Sequence, residues 1–269
     1  MKNLKRYKDW ISINEEKDPG YYIYQKLPGS VYRKNLKGKW EVKRPQFGKY
    51  ISLQKGDVGS RIETLEKTST PKKLNILFVG DSNTASAAGG KFYGWWIKNK
   101  LGDKVEIEKV AKGGEGTQWM IDNLKTHLDK GNKYDVISIL GGSNDIWNPS
   151  NPLTLEEIKT NIKTLVEMAT KNGAKVVVIS PPSKEFYPDV VNKDPKALEK
   201  LKITEQLKEW EKSTYGDNFI DFNFITSPKG GAKESDFQED LRHLRPQPKH
   251  EQLANLWINN IYWGPKGIA

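Results

Sequence analysis

Lys73-Leu74-Asn75-Ile76-Leu77-Phe78-Val79-Gly80-Asp81-Ser82-Asn83-Thr84 is the stretch on which the fold turns. Asn75 to Val79 is almost entirely apolar, as a strand buried on both faces of a parallel sheet must be. Gly80 permits a tight turn at its end, and Ser82 then stands where a helix begins, with its N–H unpaired and its hydroxyl above the sheet. Serine at such a position serves equally well as an ordinary helix N-cap, so the stretch alone leaves both readings open.

Working outward, the same alternation recurs. Val105 to Val110, Asp135 to Leu140, Lys175 to Ser180 and Asn218 to Asp221 read as further strands. Helical periodicity separates them at about 92–101, 117–130, 154–172 and 195–214, with a last helix near 247–262. Strands alternating with helices predict a parallel sheet covered on both faces. Val105 to Val110 alternates with charge and is expected nearer an edge. Residues 1–70 differ: Tyr21-Tyr22-Ile23-Tyr24, Val31-Tyr32-Arg33, Trp40-Glu41-Val42 and Tyr50-Ile51-Ser52-Leu53 are separated by Gly- and Pro-containing turns. They predict a small β-meander, followed by a short helix over Asp57 to Lys67 and a polar linker at residues 68–73. The expected division is an accessory module and linker in 1–70 and a larger α/β domain in 71–269.

Composition narrows the chemistry. With no cysteine among 269 residues, disulfides, thiolate nucleophiles and cysteine-ligated metals are excluded. The three histidines, His127, His243 and His250, are too scattered for a metal site, so cofactor-free and metal-free chemistry is expected. No run of about 18 apolar residues is present to span a bilayer. Met1 to Trp10 is basic without an apolar run behind it, unlike a secretory signal. The cellular address stays open between an internal protein, a mature form and export by another route. The net charge of +10 raises a polyanionic partner. Its lysines are dispersed, however, and no nucleic-acid-binding signature accompanies them, so no nucleic acid is expected.

Strand ends gather the polar residues, where active sites of open α/β sheets lie. After the third strand comes Gly141-Gly142-Ser143-Asn144-Asp145, in which the Asn144 amide is a donor for an oxyanion or a turn residue. After the second comes Lys112-Gly113-Gly114-Glu115-Gly116-Thr117, a loop exposing N–H groups but matching no phosphate-binding pattern. Near the C-terminus Asp240 precedes His243 by three residues, spacing that brings a carboxylate to Nδ1 of an imidazole but is common in ordinary loops. His127 is placed on the solvent flank of a helix whose apolar positions are Met120, Leu124 and Leu128, and His250 is grouped with Leu253, Ala254 and Trp257 in the last helix.

Together, Gly80-Asp81-Ser82, Gly116 before Thr117, Gly142-Ser143-Asn144-Asp145 and Asp240-Leu241-Arg242-His243 resemble, in order, the blocks of the SGNH/GDSL hydrolase family over about residues 74–263. The resemblance implies a three-layer α/β/α, flavodoxin-like domain and a serine ester hydrolase without cofactor. Ser82 would be the nucleophile, His243 the general base and Asp240 the group orienting it. The N–H groups of Ser82 and Gly116 with the Asn144 amide would form the oxyanion hole, Gly114 being the alternate to Gly116. Departures are Asn83 and Thr84 where many relatives carry leucine or isoleucine, Ala111 where asparagine is frequent, and Leu244-Arg245-Pro246 in place of His-Pro.

A polar sequence, Trp95, Trp96, Trp119 and Trp147 close to the blocks, and an attached β-module favour removal of a short acyl group, acetyl above all, from a carbohydrate or cell-wall glycan. Tryptophan is as readily core. The alternatives are an acyl-thioester or lysophospholipid hydrolase with the same machinery, and a glycan or surface attachment protein that binds polysaccharide through residues 1–70. No apolar lid is evident in the loop from Pro181 to Pro195.

Overall fold

The computed structural model describes residues 21–23, 31–34, 40–43, 50–52, 73–85, 91–148, 152–227, 233–238, 243 and 249–262. The chain divides into two units, Met1–Pro71 and Lys72–Ala269. In the first, β1 (Tyr21–Ile23), β2 (Val31–Lys34), β3 (Trp40–Lys43) and β4 (Tyr50–Ser52) pair in sequence order as an antiparallel sheet. Tyr22 lies opposite Tyr32, Tyr32 opposite Val42 and Val42 opposite Ile51. The helix expected at Asp57 to Lys67 lies outside the described residues, as does the linker apart from Lys73.

The second unit is built on five parallel strands, β5 (Leu74–Gly80), β6 (Val105–Ala111), β7 (Val136–Leu140), β8 (Lys175–Ile179) and β9 (Phe219–Ile220), in the order β6-β5-β7-β8-β9. This is the flavodoxin-like arrangement, with the first strand of the unit beside the third. All five residues of central β7 are buried, whereas β6 carries Glu106 and Glu108 at the edge of the sheet. Charged alternation of this kind opposes edge-to-edge pairing with another strand.

Strand periodicity divides the core in two. Ile76 and Phe78 pack with Tyr93, Trp96 and Ile97 of α2 (Tyr93–Leu101) and with Leu253, Ala254 and Trp257 of the C-terminal helix Glu251–Trp257. Leu77 and Val79 point to the other face, against Met120 and Leu124 of α3 (Thr117–Leu128) and Leu165 and Ala169 of α5 (Leu155–Lys171). The three layers predicted from the sequence are therefore present. Helix α5 starts at a capping box in which Thr154 and Glu157 bond reciprocally, and its buried residues Ile158, Ile162, Leu165 and Ala169 recur at helical spacing.

Short helices occupy the strand ends: α1 (Ser82–Ala85), α4 (Ser143–Trp147) and α6 (Pro188–Val191). The long α7 (Pro195–Tyr215) packs Leu207 on Ile146, Ile158 and Ile162. Among the described residues two more α-helices follow, α8 (Asn223–Thr226) and α9, the C-terminal helix Glu251–Trp257. Among the described residues no helix is long and apolar enough to cross a membrane.

Candidate active site

The turn after β5 is tied down from both sides. Asp81, only 1% exposed, accepts the Asn83 N–H on Oδ1 at 2.9 Å, and its carbonyl accepts from the N–H groups of Thr84 and Ala85. Burial pushes the Asp81 carboxyl up, opposed by the bond from Asn83 and by the charges of Lys184 and His243. Ser82 thus opens a one-turn helix whose backbone is fixed by its neighbours, leaving its own side chain partly exposed.

His243 comes to this serine from 161 residues away: its Nε2 lies 2.9 Å from Ser82 Oγ. That is hydrogen-bond distance, the geometry by which an imidazole takes a hydroxyl proton. The His243 carbonyl accepts from the Gln238 N–H at 2.7 Å. Just before Gln238, Asp236 accepts the Lys233 N–H and pairs with the Lys249 ammonium at 2.9 Å, with side chains 17% and 7% exposed. Asp240 lies outside the described residues.

The ends of β6 and β7 are clamped together. The carboxylate of Asp145, in α4, accepts the N–H of Thr117 at 2.9 and 3.1 Å and its hydroxyl at 2.8 Å, while Asn161 donates to the same hydroxyl. Helix α3 has no side-chain cap of its own, so a carboxylate from another helix satisfies its first N–H and complements the positive end of its dipole. Gly116 lies against this carboxylate; a Cβ there would be 2.6 Å from Asp145 Oδ1. Asn144 Nδ2 donates to the Glu115 carbonyl at 2.9 Å, which uses one of its two hydrogens and orients the amide. Of the glycines in the loop, Gly113 backs onto Ser82, with 3.7 Å from a Cβ there to Ser82 Cβ.

A cleft of about 590 Å³ runs from Gly114 and Asn144 to α6 and the start of α7. Trp147 and Tyr187, edge to face at 5.1 Å, form its aromatic wall. Lys184 and Lys200 place their ammonium groups over those rings, 4.7 Å from the Tyr187 centre and 5.9 Å from the Trp147 centre. Among the described residues no group of three or more His, Asp or Glu side chains is arranged to hold a metal ion.

Residues 78–248 match the GDSL-like lipase/acylhydrolase family. The chain belongs to that family. The GDSL hydrolases cleave carboxylic esters, and this chain is a carboxylic ester hydrolase with them. No curated protein matches it. Among solved structures it is similar to LAE5, an alpha/beta hydrolase enzyme from the metagenome of Lake Arreo, Spain, at 15% identity and a TM-score of 0.57, over 70% of this chain and 95% of that one. A lipolytic G-D-S-L family protein from Veillonella parvula gives 17% identity and 0.56, over 69% and 96%. An Axe2 mutant, an acetyl-xylooligosaccharide esterase from Geobacillus, gives 18% and 0.52, over 70% and 94%. These likenesses concern the fold.

In this GDSL hydrolase the sequence-predicted residues Ser82 and His243 are in contact, and Asn144 and Gly116 stand at neighbouring strand ends. Trp147 lines the cleft, Trp96 is core, and Trp95 is partly exposed. His127, on its helix flank, meets the hydroxyl of Tyr134, which bonds Glu108. His250 is buried and parallel to Tyr93 at the start of the last helix, where its charge state responds to that of His243. Sequence reasoning assigned no role to Asp145, Lys184 or Tyr187. Asp145 stood inside the Gly142-to-Asp145 block, and its carboxylate was the available signal; a lysine and a tyrosine in a loop carry none.

Proposed function

We propose that this hydrolase removes a short acyl group, acetyl by preference, from a carbohydrate, with Ser82 as nucleophile, His243 as general base and Asp240 as the group that orients the imidazole. The observation that carries the reading is the 2.9 Å contact between His243 Nε2 and Ser82 Oγ. The Ser82 proton passes to His243 as Oγ bonds to the ester carbon. The imidazolium then protonates the departing sugar oxygen, leaving an acyl-enzyme. Water, deprotonated by the same histidine, releases the carboxylic acid and restores the serine. The oxyanion is held by the N–H groups of Ser82 and Gly116, with Gly114 as the alternate, and by the second Nδ2 hydrogen of Asn144. No cofactor enters this cycle.

The aromatic wall of Trp147 and Tyr187 supports a sugar ring at the leaving-group side. Similarity in fold to an acetyl-xylooligosaccharide esterase supports the acetyl preference. Polysaccharide contact through residues 1–70 belongs to the same reading. A profile of kcat/KM over acetylated xylooligosaccharides, longer acyl esters of the same sugars, acyl-CoA and lysophospholipid tests it. Acetylated sugars are expected to lead by about tenfold or more, roughly 1.4 kcal/mol of transition-state discrimination. A lead for acyl-CoA or lysophospholipid contradicts the carbohydrate assignment.

A further inference from the structure

We propose that the cleft leading away from Asn144 takes an anionic leaving group, so that the acyl ester cleaved is one carried on a sugar bearing a carboxylate or a phosphate. This rests on the hydrolase reading above and narrows its substrate. Three lysines, Lys184, Lys196 and Lys200, line the cleft together with Trp147 and Tyr187. Lys196 and Lys200 are four residues apart on α7, hence on one helix face, one turn from the other. Both belong to the first turns of a helix whose positive end faces the same opening. Lys184 is only 6% exposed, over the Tyr187 ring, and its charge reaches Asp81 in the nucleophile turn.

Two carboxylates share the lining, Asp189 and Asp194. Asp194 is the N-cap of α7 and accepts the Ala197 N–H at 2.8 Å, so its charge is turned to the helix end. Three amines against two carboxylates leave the lining around the aromatic rings net positive, which suits a ring with an anionic substituent, since a neutral sugar offers the ammonium groups only hydroxyl acceptors whereas a carboxylate or phosphate adds charge-assisted hydrogen bonds. The overall charge of +10 acts in the same direction at long range.

The test compares a monoacetylated methyl glucoside with the corresponding glucuronide and the corresponding glucoside phosphate, with an aryl acetate as reference. At low salt, kcat/KM for the glucuronide, the phosphate or both is expected to exceed that for the neutral glucoside by about tenfold or more, through KM, and to fall toward it as salt rises. Which anionic ester leads identifies the source of the charge. In K196Q/K200Q the anionic-to-neutral ratio falls toward one, and in K196E/K200E it drops below one. Equal rates for charged and neutral esters by an enzyme active on the aryl acetate, or a ratio untouched by either double substitution, overturn the inference alone. An enzyme inert on every ester, the aryl acetate included, overturns the hydrolase reading and this inference with it.

Discussion

A methyl group at position 80 would lie 2.3 Å from Thr84 Oγ1 and 2.9 Å from the Leu140 carbonyl oxygen. The glycine before the Ser82 turn is therefore required by close approach of β7 and α1, and Gly80→Ala must displace backbone that aims Ser82. It is expected to cost about 1–3 kcal/mol, read as a lower urea midpoint, with kcat reduced as well. His250 sets a pH dependence. Burial, and then the charge of His243, pull its pKa down from 6.5 to about 4. The folded state thus binds this proton less readily than the unfolded chain. The resulting stability is fully present above pH 6.5 and is lost as pH falls from 6.5 through about 4. Between neutrality and about pH 5 the loss is on the order of 2 kcal/mol. His250→Phe keeps a flat ring against Tyr93 and removes the buried Nδ1, which has no hydrogen-bond partner among the described residues. Urea midpoints of this variant are expected to fall less between those two pH values than those of the wild type; an equal fall would contradict the assignment.

At the scale of elements, the site depends on two helix starts held by one carboxylate. Asp145 belongs to α4, follows Asn144 directly and binds the first N–H of α3, so it fixes the distance between the Gly116 loop and the Asn144 amide. Asp145→Asn removes the charge-assisted bonds and is expected to lower kcat about tenfold or more with little change in KM, because the oxyanion donors proposed at Gly116 and Asn144 would shift relative to one another. A rise in KM at constant kcat would place Asp145 in substrate binding instead. The strands and long helices were legible in the sequence because each repeats its signal: β7 is apolar at every position but Ser138, and α5 carries an apolar residue each turn. Helices α4 and α6 escaped because a single turn holds no period to detect. The loop from Pro181 to Pro195 read as polar and lidless, yet Lys184, Tyr187 and Asp189 wall the cleft, an outcome set by where α7 docks and not by local pattern.

For the whole molecule, the sheet order is what makes distant residues into a site. β5 lies between β6 and β7, so the loops carrying Ser82, Gly113 to Gly116 and Asn144 emerge side by side, and the C-terminal segment brings His243 over them. That convergence was readable only as an ordered set of blocks, since none of the four distinguishes a catalytic residue from a turn or a cap. The decisive measurement is hydrolysis of a short-chain aryl acetate by the wild type and by Ser82→Ala, with circular dichroism confirming that both are folded. A loss of about a thousandfold or more in kcat is expected in the variant. Activity that survives the substitution would contradict Ser82 as the nucleophile.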